Sequence, residues 1–184
     1  MFAEHLAKLA QALDFAQLPY MLIGGQAVLV HGEPRLTRDL DVTLAVDIDR
    51  LPDLLRVLTG LGWPPLPGNP SEFVDQTLVL PCEDPATGIR MDFIFGLTPY
   101  EQAAVGRAGV HDMLGVPVRF ATAEDLIIHK VLAGRPRDLE DVEGVLAKNR
   151  NLDFALIRQV LADFALELGQ PLVETFEGLL RKTG

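Results

Sequence analysis

The stretch Ile23-Gly24-Gly25-Gln26-Ala27, with Arg35-Leu36-Thr37-Arg38-Asp39-Leu40-Asp41-Val42 shortly after it, decides how this chain folds. A paired glycine ends the apolar run of residues 20–23, which reads as a buried strand. It opens a short helix over about residues 26–30, stopped by Gly32 and Pro34. Residues 39–46 then alternate acidic or polar with apolar positions, the period of a half-buried strand. On such a strand Asp39 and Asp41 project together, while Leu40 and Val42 face the core. A third acid, Asp92, lies far along the chain within Met91-Asp92-Phe93-Ile94-Phe95.

Aspartate is depleted in strands and costly to bury unless paired or metal-bound. Spacing alone does not mark a site. Asp47-Ile48-Asp49 has the same spacing, and there the helical pattern that follows makes capping by Asp49 and solvated charge the better explanation. Asp39 and Asp41 differ because they open a strand after the glycine helix, with Arg35 and Thr37 upstream. Asp92 differs because apolar neighbours raise a carboxyl pKa unless a cation balances the charge. If its strand lies beside the first, three carboxylates gather, the oxygen ligands suited to magnesium, which keeps waters and substrate phosphates. Glycines at a helix N-terminus present amides and partial positive charge to a phosphate, although a Gly-Gly pair by itself fits a plain tight turn better, and it is the acids that change that weighting.

Outward from this region, residues 2–17 carry Phe2, Leu6, Leu9 and Leu13 at helical spacing. Asp49 with Pro52 marks a helix running to about Gly60, and the prolines from Pro64 to Pro70 mark a loop. Residues 76–81 and 90–95 read as strands joined in a hairpin. Thr98-Pro99-Tyr100-Glu101 has the residues of a capping box, and Thr122 opens another helix. Short strands are expected near Val110 and at 116–120, and helices at about 123–133, 137–148, 152–168 and 171–182. The fold class is therefore α+β: a small mixed β-sheet core flanked by helices over residues 1–121, with a helical C-terminal region, 122–184, packed on it.

Of 184 residues, 48% are hydrophobic and 23% charged, the composition of an ordinary globular protein. The single cysteine, Cys82, excludes an internal disulfide and reads as a small buried apolar residue. No run is long and apolar enough for a membrane span, and the N-terminus lacks signal-peptide character, so a cytoplasmic location is expected. The formal net charge of −10 makes the chain a poor non-specific binder of nucleic acid. His129, Lys130, Arg135, Arg137, Lys148 and Arg150 leave a local basic surface open.

Gly24-Gly25, Asp39-x-Asp41 and Asp92 in its apolar strand resemble the DNA polymerase β-type nucleotidyltransferase superfamily. Gly-Gly-x-Ala, His31-Gly32 and Arg35-x-Thr37-x-Asp39-x-Asp41 are similar to the small AbiEii-like nucleotidyltransferases of toxin–antitoxin and phage-defence systems. Glu124-Asp125-Leu126, Lys130, Arg135, Arg137-Asp138 and Asp141 extend the resemblance, which covers roughly residues 18–148 and leaves the last two helices without a motif. It implies that Gly24 and Gly25 hold the β- and γ-phosphates of an NTP. Asp39, Asp41 and Asp92 would ligate two Mg²⁺ ions, and Asp92 would also orient or deprotonate the acceptor hydroxyl, with pyrophosphate leaving. Lys130 either reaches the triphosphate or is an ordinary solvated helix residue. Arg35 and Thr37 either brace the metal loop and touch phosphate or pair structurally with Asp39 or Glu33. Asp138 and Asp141, one helical turn apart, pair with Arg135 or Arg137. The acceptor is RNA such as tRNA or a small hydroxylated molecule of the antibiotic type, which the acidity favours slightly. An antitoxin protein is a further expected partner. A non-catalytic nucleotide-binding or partner-binding protein is the reading from another class, against which the presence of all three acids argues.

Overall fold

The computed structural model describes residues 2–34, 37 and 39–183. The chain divides into two compact units, residues 1–23 with 37–120 and residues 24–36 with 121–184. Among the described residues, no helix is long and apolar enough to cross a membrane.

The first unit is built on a six-stranded mixed sheet. Its strands are β1 (Tyr20–Ile23), β2 (Asp39–Leu44), β3 (Val79–Asp84), β4 (Ile89–Phe95), β5 (Gly109–Met113) and β6 (Val116–Phe120), in the order β3-β4-β2-β1-β6-β5. The pair β2–β4 is parallel, as is β1–β6; the remaining neighbours are antiparallel. Alternation along the strands separates two faces. Leu40, Val42, Leu44, Leu80, Cys82, Met91, Phe93 and Phe95 share one face and are all essentially inaccessible. Burying each large side chain contributes roughly 1.5–3 kcal/mol, so this face anchors the unit. The other face carries Asp39, Asp41, Asp92 and Arg90, and is more open.

Helix α1 (Phe2–Phe15) packs on β5 and β6 and on α3 (Leu51–Leu61). A 3₁₀ turn, Ile48–Arg50, precedes α3, and Asp47 caps it by accepting from the Ile48 amide. The expectation of Asp49 as cap is thus corrected: Asp49 lies inside the 3₁₀ turn, and α3 itself starts after Arg50 without a side-chain cap. The proline-rich loop is also shorter than expected, because α4 (Pro70–Thr77) occupies its end. Asn69 caps that helix and Pro70 sits in its first turn, where a missing amide hydrogen does no harm. β3 consequently starts at Val79 rather than near residue 76. Helix α5 (Pro99–Gly106) has the full reciprocal capping box between Thr98 and Glu101.

A buried polar knot ties α1 to the β3–β4 hairpin. The His5 ring lies 2.7 Å from the Asp84 carboxylate through Nε2 and stacks on Trp63 at 5.4 Å. Thr87 Oγ1 and the Ala86 amide also donate to Asp84. Hydrogen bonds from His5, then Thr87 and Ala86, hold the Asp84 carboxyl down at about 2, against an ordinary 3.8. A carboxyl depressed in the folded state stabilises the fold above its ordinary pKa, and that contribution is lost as pH falls through the folded value. Acid unfolding of the wild type is therefore expected to steepen between about pH 4 and 2. In Asp84→Asn that component should vanish; an unchanged acid profile in denaturant titrations would remove the knot from the stability account.

The second unit is helical: α2 (Gly24–His31), α6 (Ala123–Ala133), α7 (Pro136–Lys148), α8 (Phe154–Leu168) and α9 (Leu172–Thr183). Its core includes Leu126, Ile127, Val131, Val142, Val145, Ile157, Leu161 and Phe176. Helix α2 packs on α6 and α7. Its last carbonyls are closed from outside: Lys148 Nζ donates to Gly32 O at 2.9 Å and Asn149 Nδ2 to His31 O at 2.8 Å. His31 itself ends α2 and donates from Nε2 to the Ala121 carbonyl at 2.8 Å.

Candidate active site

The register of β2 against β4 does the decisive positioning. In this parallel pair Asp41 lies directly opposite Asp92, and Asp39 lies opposite Arg90. Residues opposite one another share a face, as do residues two apart on one strand, so Asp39, Asp41, Asp92 and Arg90 all project from the same side. Pro81 of β3 flanks Asp92, and Ile23 of β1 flanks Asp41. The placement of Asp92 beside the other two acids, which the sequence left conditional, follows from a crossover that puts the fourth strand next to the second.

Asp39 is exposed, whereas Asp41 and Asp92 are half-buried. Asp92 Oδ1 is shielded from solvent and makes no hydrogen bond. Arg90 Nε lies 3.5 Å from it, at ion-pair distance but outside hydrogen-bond geometry. A shielded oxygen of this kind costs roughly 1–3 kcal/mol, and more when charged. A divalent cation would repay that cost, so the donor set fits magnesium in chemistry: carboxylate oxygens, one of them lacking a hydrogen-bond donor. Among the described residues, however, no three His, Cys, Asp or Glu side chains already converge on a single metal point. The fit is of magnesium that also takes oxygens from water and phosphate, not of a closed protein cage.

The negative charge of this face is felt through the sheet. Cys82, on the buried face of β3, has its thiol pushed up to about 12, first by burial and then by the charge on Asp92. It is inert as a nucleophile at neutral pH, as its reading as an apolar residue implies.

Gly24 follows β1 directly and has φ +61°, a backbone conformation that glycine tolerates at little cost. Gly25 is buried in the first turn of α2. Thr37 donates weakly to the Asp39 carbonyl, at 3.4 Å. The expectation for Arg35 lies outside the described residues.

Lys130 is not a solvated helix residue. It is buried in the second unit, with Nζ 2.6 Å from Asp138 and 2.9 Å from Asp141. Arg135 also pairs with Asp138, at 2.6 Å, as the i,i+3 spacing anticipates. Burial pushes the Asp138 carboxyl up, but hydrogen bonds from Arg135 and Lys130 outweigh it and hold it below the ordinary range. Of the basic residues between 129 and 150, Arg137 further pairs with Glu140 and Lys148 with Glu33. Much of the expected local basic surface is thus internally balanced.

The sequence reading passed over Arg90, although Arg90-x-Asp92 has the spacing that puts both on one face. It also passed over Thr43, next after Asp41 on that face, whose fully buried hydroxyl has no hydrogen-bond partner.

The family model for the nucleotidyl transferase AbiEii toxin of type IV toxin–antitoxin systems matches residues 6–182. A comparison with curated proteins finds no match. Among solved structures, an antigenic nucleotidyltransferase-like protein from Paracoccidioides brasiliensis aligns with a TM-score of 0.57 at 17% identity, covering 97% of this chain and 91% of that one. The antibiotic-resistance factor ANT(2'')-Ia in solution aligns at 0.54 and 18%, covering 96% and 90%. Its crystal structure with adenylyl-2''-tobramycin aligns at 0.54 and 16%, covering 96% and 97%. At these identities the structural likenesses establish the fold.

Proposed function

The chain belongs to the AbiEii nucleotidyl transferase family, and on that premise we propose that it moves a nucleotide from an NTP to an acceptor hydroxyl, with Asp39, Asp41 and Asp92 as its metal-binding and catalytic carboxylates. The observation that carries this reading is the side-by-side register of Asp41 and Asp92 with Asp39 on the same face. The hydrogen-bond vacancy at Asp92 Oδ1 supports it.

In this reading Asp39 and Asp41 would hold the cation that accompanies the triphosphate, and Asp92 would help to hold a second one. Two bound Mg²⁺ would supply charge neutralisation at the entering and leaving oxygens. Asp92, the acid flanked by Arg90 and Pro81, orients the acceptor hydroxyl and takes its proton. The acceptor oxygen forms a bond to the α-phosphorus, the bond from that phosphorus to the bridging oxygen breaks, and pyrophosphate leaves. Gly24 and Gly25 are assigned to the phosphates by the family resemblance and by the amides that a helix start presents. Arg35 and Thr37 retain the same assignment from the resemblance.

A nucleic acid such as tRNA is the acceptor we favour, in keeping with a toxin role opposed by an antitoxin, in the cytoplasm. A small-molecule acceptor is the second reading; the net charge of −10 favours it, and one structural neighbour is described with an adenylylated tobramycin. Calorimetric titration of each NTP with and without magnesium tests the core of the proposal. Binding of at least one NTP that strengthens with magnesium is expected; no NTP binding under either condition would leave only a scaffold role.

A further inference from the structure

Thr43 follows Asp41 on the carboxylate face of β2, and its two side-chain branches meet different surroundings. The residue is 0% exposed, and its hydroxyl is shielded and has no hydrogen-bond partner among the described residues. Valine has the same shape and carries no buried hydroxyl to desolvate, so the fold alone would favour valine here. The methyl branch has a packing reason. A Cβ at position 96 would stand 2.9 Å from the Leu44 carbonyl oxygen and from Glu101 Cβ, and 3.2 Å from Thr43 Cγ2. Glycine there lets the backbone after β4 close over the Thr43 methyl. The hydroxyl is the branch left without a structural reason.

Its surroundings narrow the acceptor to one side chain. β2 lies between β1 and β4, so the sheet ladder uses its main-chain groups on both edges. Across those edges Thr43 stands opposite Met21 and Ile94, whose side chains offer no oxygen. From α5, Glu101 turns its carboxylate back onto the amide and the hydroxyl of Thr98, each at 3.0 Å. Ala45, the next same-side position beyond β2, has no polar group. In the other direction the next position on this face is Asp41.

We infer that Thr43 is a positioning residue for Asp41: its hydroxyl donates to that carboxylate and fixes the orientation in which it meets a divalent cation. The inference rests on the assignment of Asp41 above. Alternate residues of a strand stand about 6.6 Å apart, a gap that a hydroxyl and a carboxylate leaning toward each other can span. A carboxylate that ligates through one oxygen keeps lone pairs on the other, and a donor placed there holds its rotamer. Asp41 lies opposite Asp92 at the centre of the face, so a rotamer ordered only on binding would cost affinity for cation and nucleotide alike. A neutral donor orients the acid without cancelling the charge that the cation needs. Packing of the methyl against Gly96 holds the donor itself in place.

Two substitutions in the full chain separate the branches: Thr43→Val keeps the shape and removes the hydroxyl, and Thr43→Ser keeps the hydroxyl and removes the methyl. Each variant is titrated calorimetrically with the NTP that wild type binds best, over a series of magnesium concentrations. Each is also melted without magnesium or nucleotide. In Thr43→Val the magnesium concentration that half-saturates NTP binding should rise about 10- to 100-fold, the scale on which a metal ligand that loses its own hydrogen-bond partner weakens a site. The same variant should melt at or above the wild-type temperature, because no bond within the fold is lost. Thr43→Ser should show the opposite pattern, with wild-type magnesium dependence and a lower melting temperature from the lost methyl. Wild-type magnesium dependence in Thr43→Val would overturn the inference and leave the assignment of Asp41 standing. Melting of Thr43→Val well below wild type would also overturn it, since the hydroxyl would then serve the fold itself. So would a Thr43→Ser protein as dependent on high magnesium as the valine variant. Wild type whose NTP binding ignores magnesium would take down the assignment of Asp41 together with this role for Thr43.

Discussion

Asparagine in place of Asp41 is expected to lower nucleotidyl transfer by at least about a thousandfold while leaving the fold unchanged. Stabilisation of the transferring phosphoryl group by bound metal supplies several kcal/mol, and about 4 kcal/mol corresponds to three orders of magnitude in rate. Asp41 sits at the centre of the site, opposite Asp92 and two residues from Asp39, so its charge is the one both neighbours depend on. Asparagine keeps the shape and removes the charge. The substitution keeps the side chain's volume, so the variant should melt close to the wild-type temperature. Circular dichroism and thermal unfolding check the fold, and labelled-NTP incorporation checks activity. Incorporation at the wild-type rate in a well-folded Asp41→Asn would remove this residue from the mechanism.

Lys130→Met carries the second large effect, on stability. The ammonium is enclosed between Asp138 and Asp141, at 2.6 and 2.9 Å, in a pocket that leaves its side chain 7% exposed. Methionine fills the space and leaves two carboxylates facing each other. Breaking a buried pair by removing one partner costs about 3–5 kcal/mol, because the remaining charge is uncompensated. Arg135 still serves Asp138, so that carboxylate keeps one of its two cations. Adding Asp141→Asn to Lys130→Met should return part of the stability, and the double-mutant cycle measures the coupling. Denaturant unfolding within about 1 kcal/mol of wild type, accompanied by weaker NTP binding, would instead support the phosphate-binding reading of this lysine.

How far the sequence alone led can be judged from these residues. Asp39 and Asp41 were legible as a same-face pair because strand period is local, and the Thr98 and Thr122 helix starts were legible because caps are local. The neighbour of that pair was not. Asp92 reaches it through a parallel contact between the second and fourth strands, and nothing within either strand states its partner. Helix α4 was missed although Asn69-Pro70 with Glu72 is a helix start, because the preceding prolines made the whole stretch look like a loop. Lys130 was misjudged as a solvated alternative for a related reason. Helix α6 buries residues around most of its circumference, including Asp125, so its pattern does not mark a wet face on which to place a lysine. Arg90 needed only the same two-residue spacing as the aspartates, but its meaning came from its ion pair with Asp92.

The central claim is that the carboxylate face of this sheet works on a nucleotide and a hydroxyl together. Incubating the wild-type protein with each α-labelled NTP, magnesium and fractionated cellular RNA, protein and metabolites tests it most directly. The account predicts label in one fraction, dependent on magnesium, with RNA as that fraction and pyrophosphate released in equal amount. Label in no fraction from any NTP, by a protein that is folded and supplied with magnesium, would contradict it.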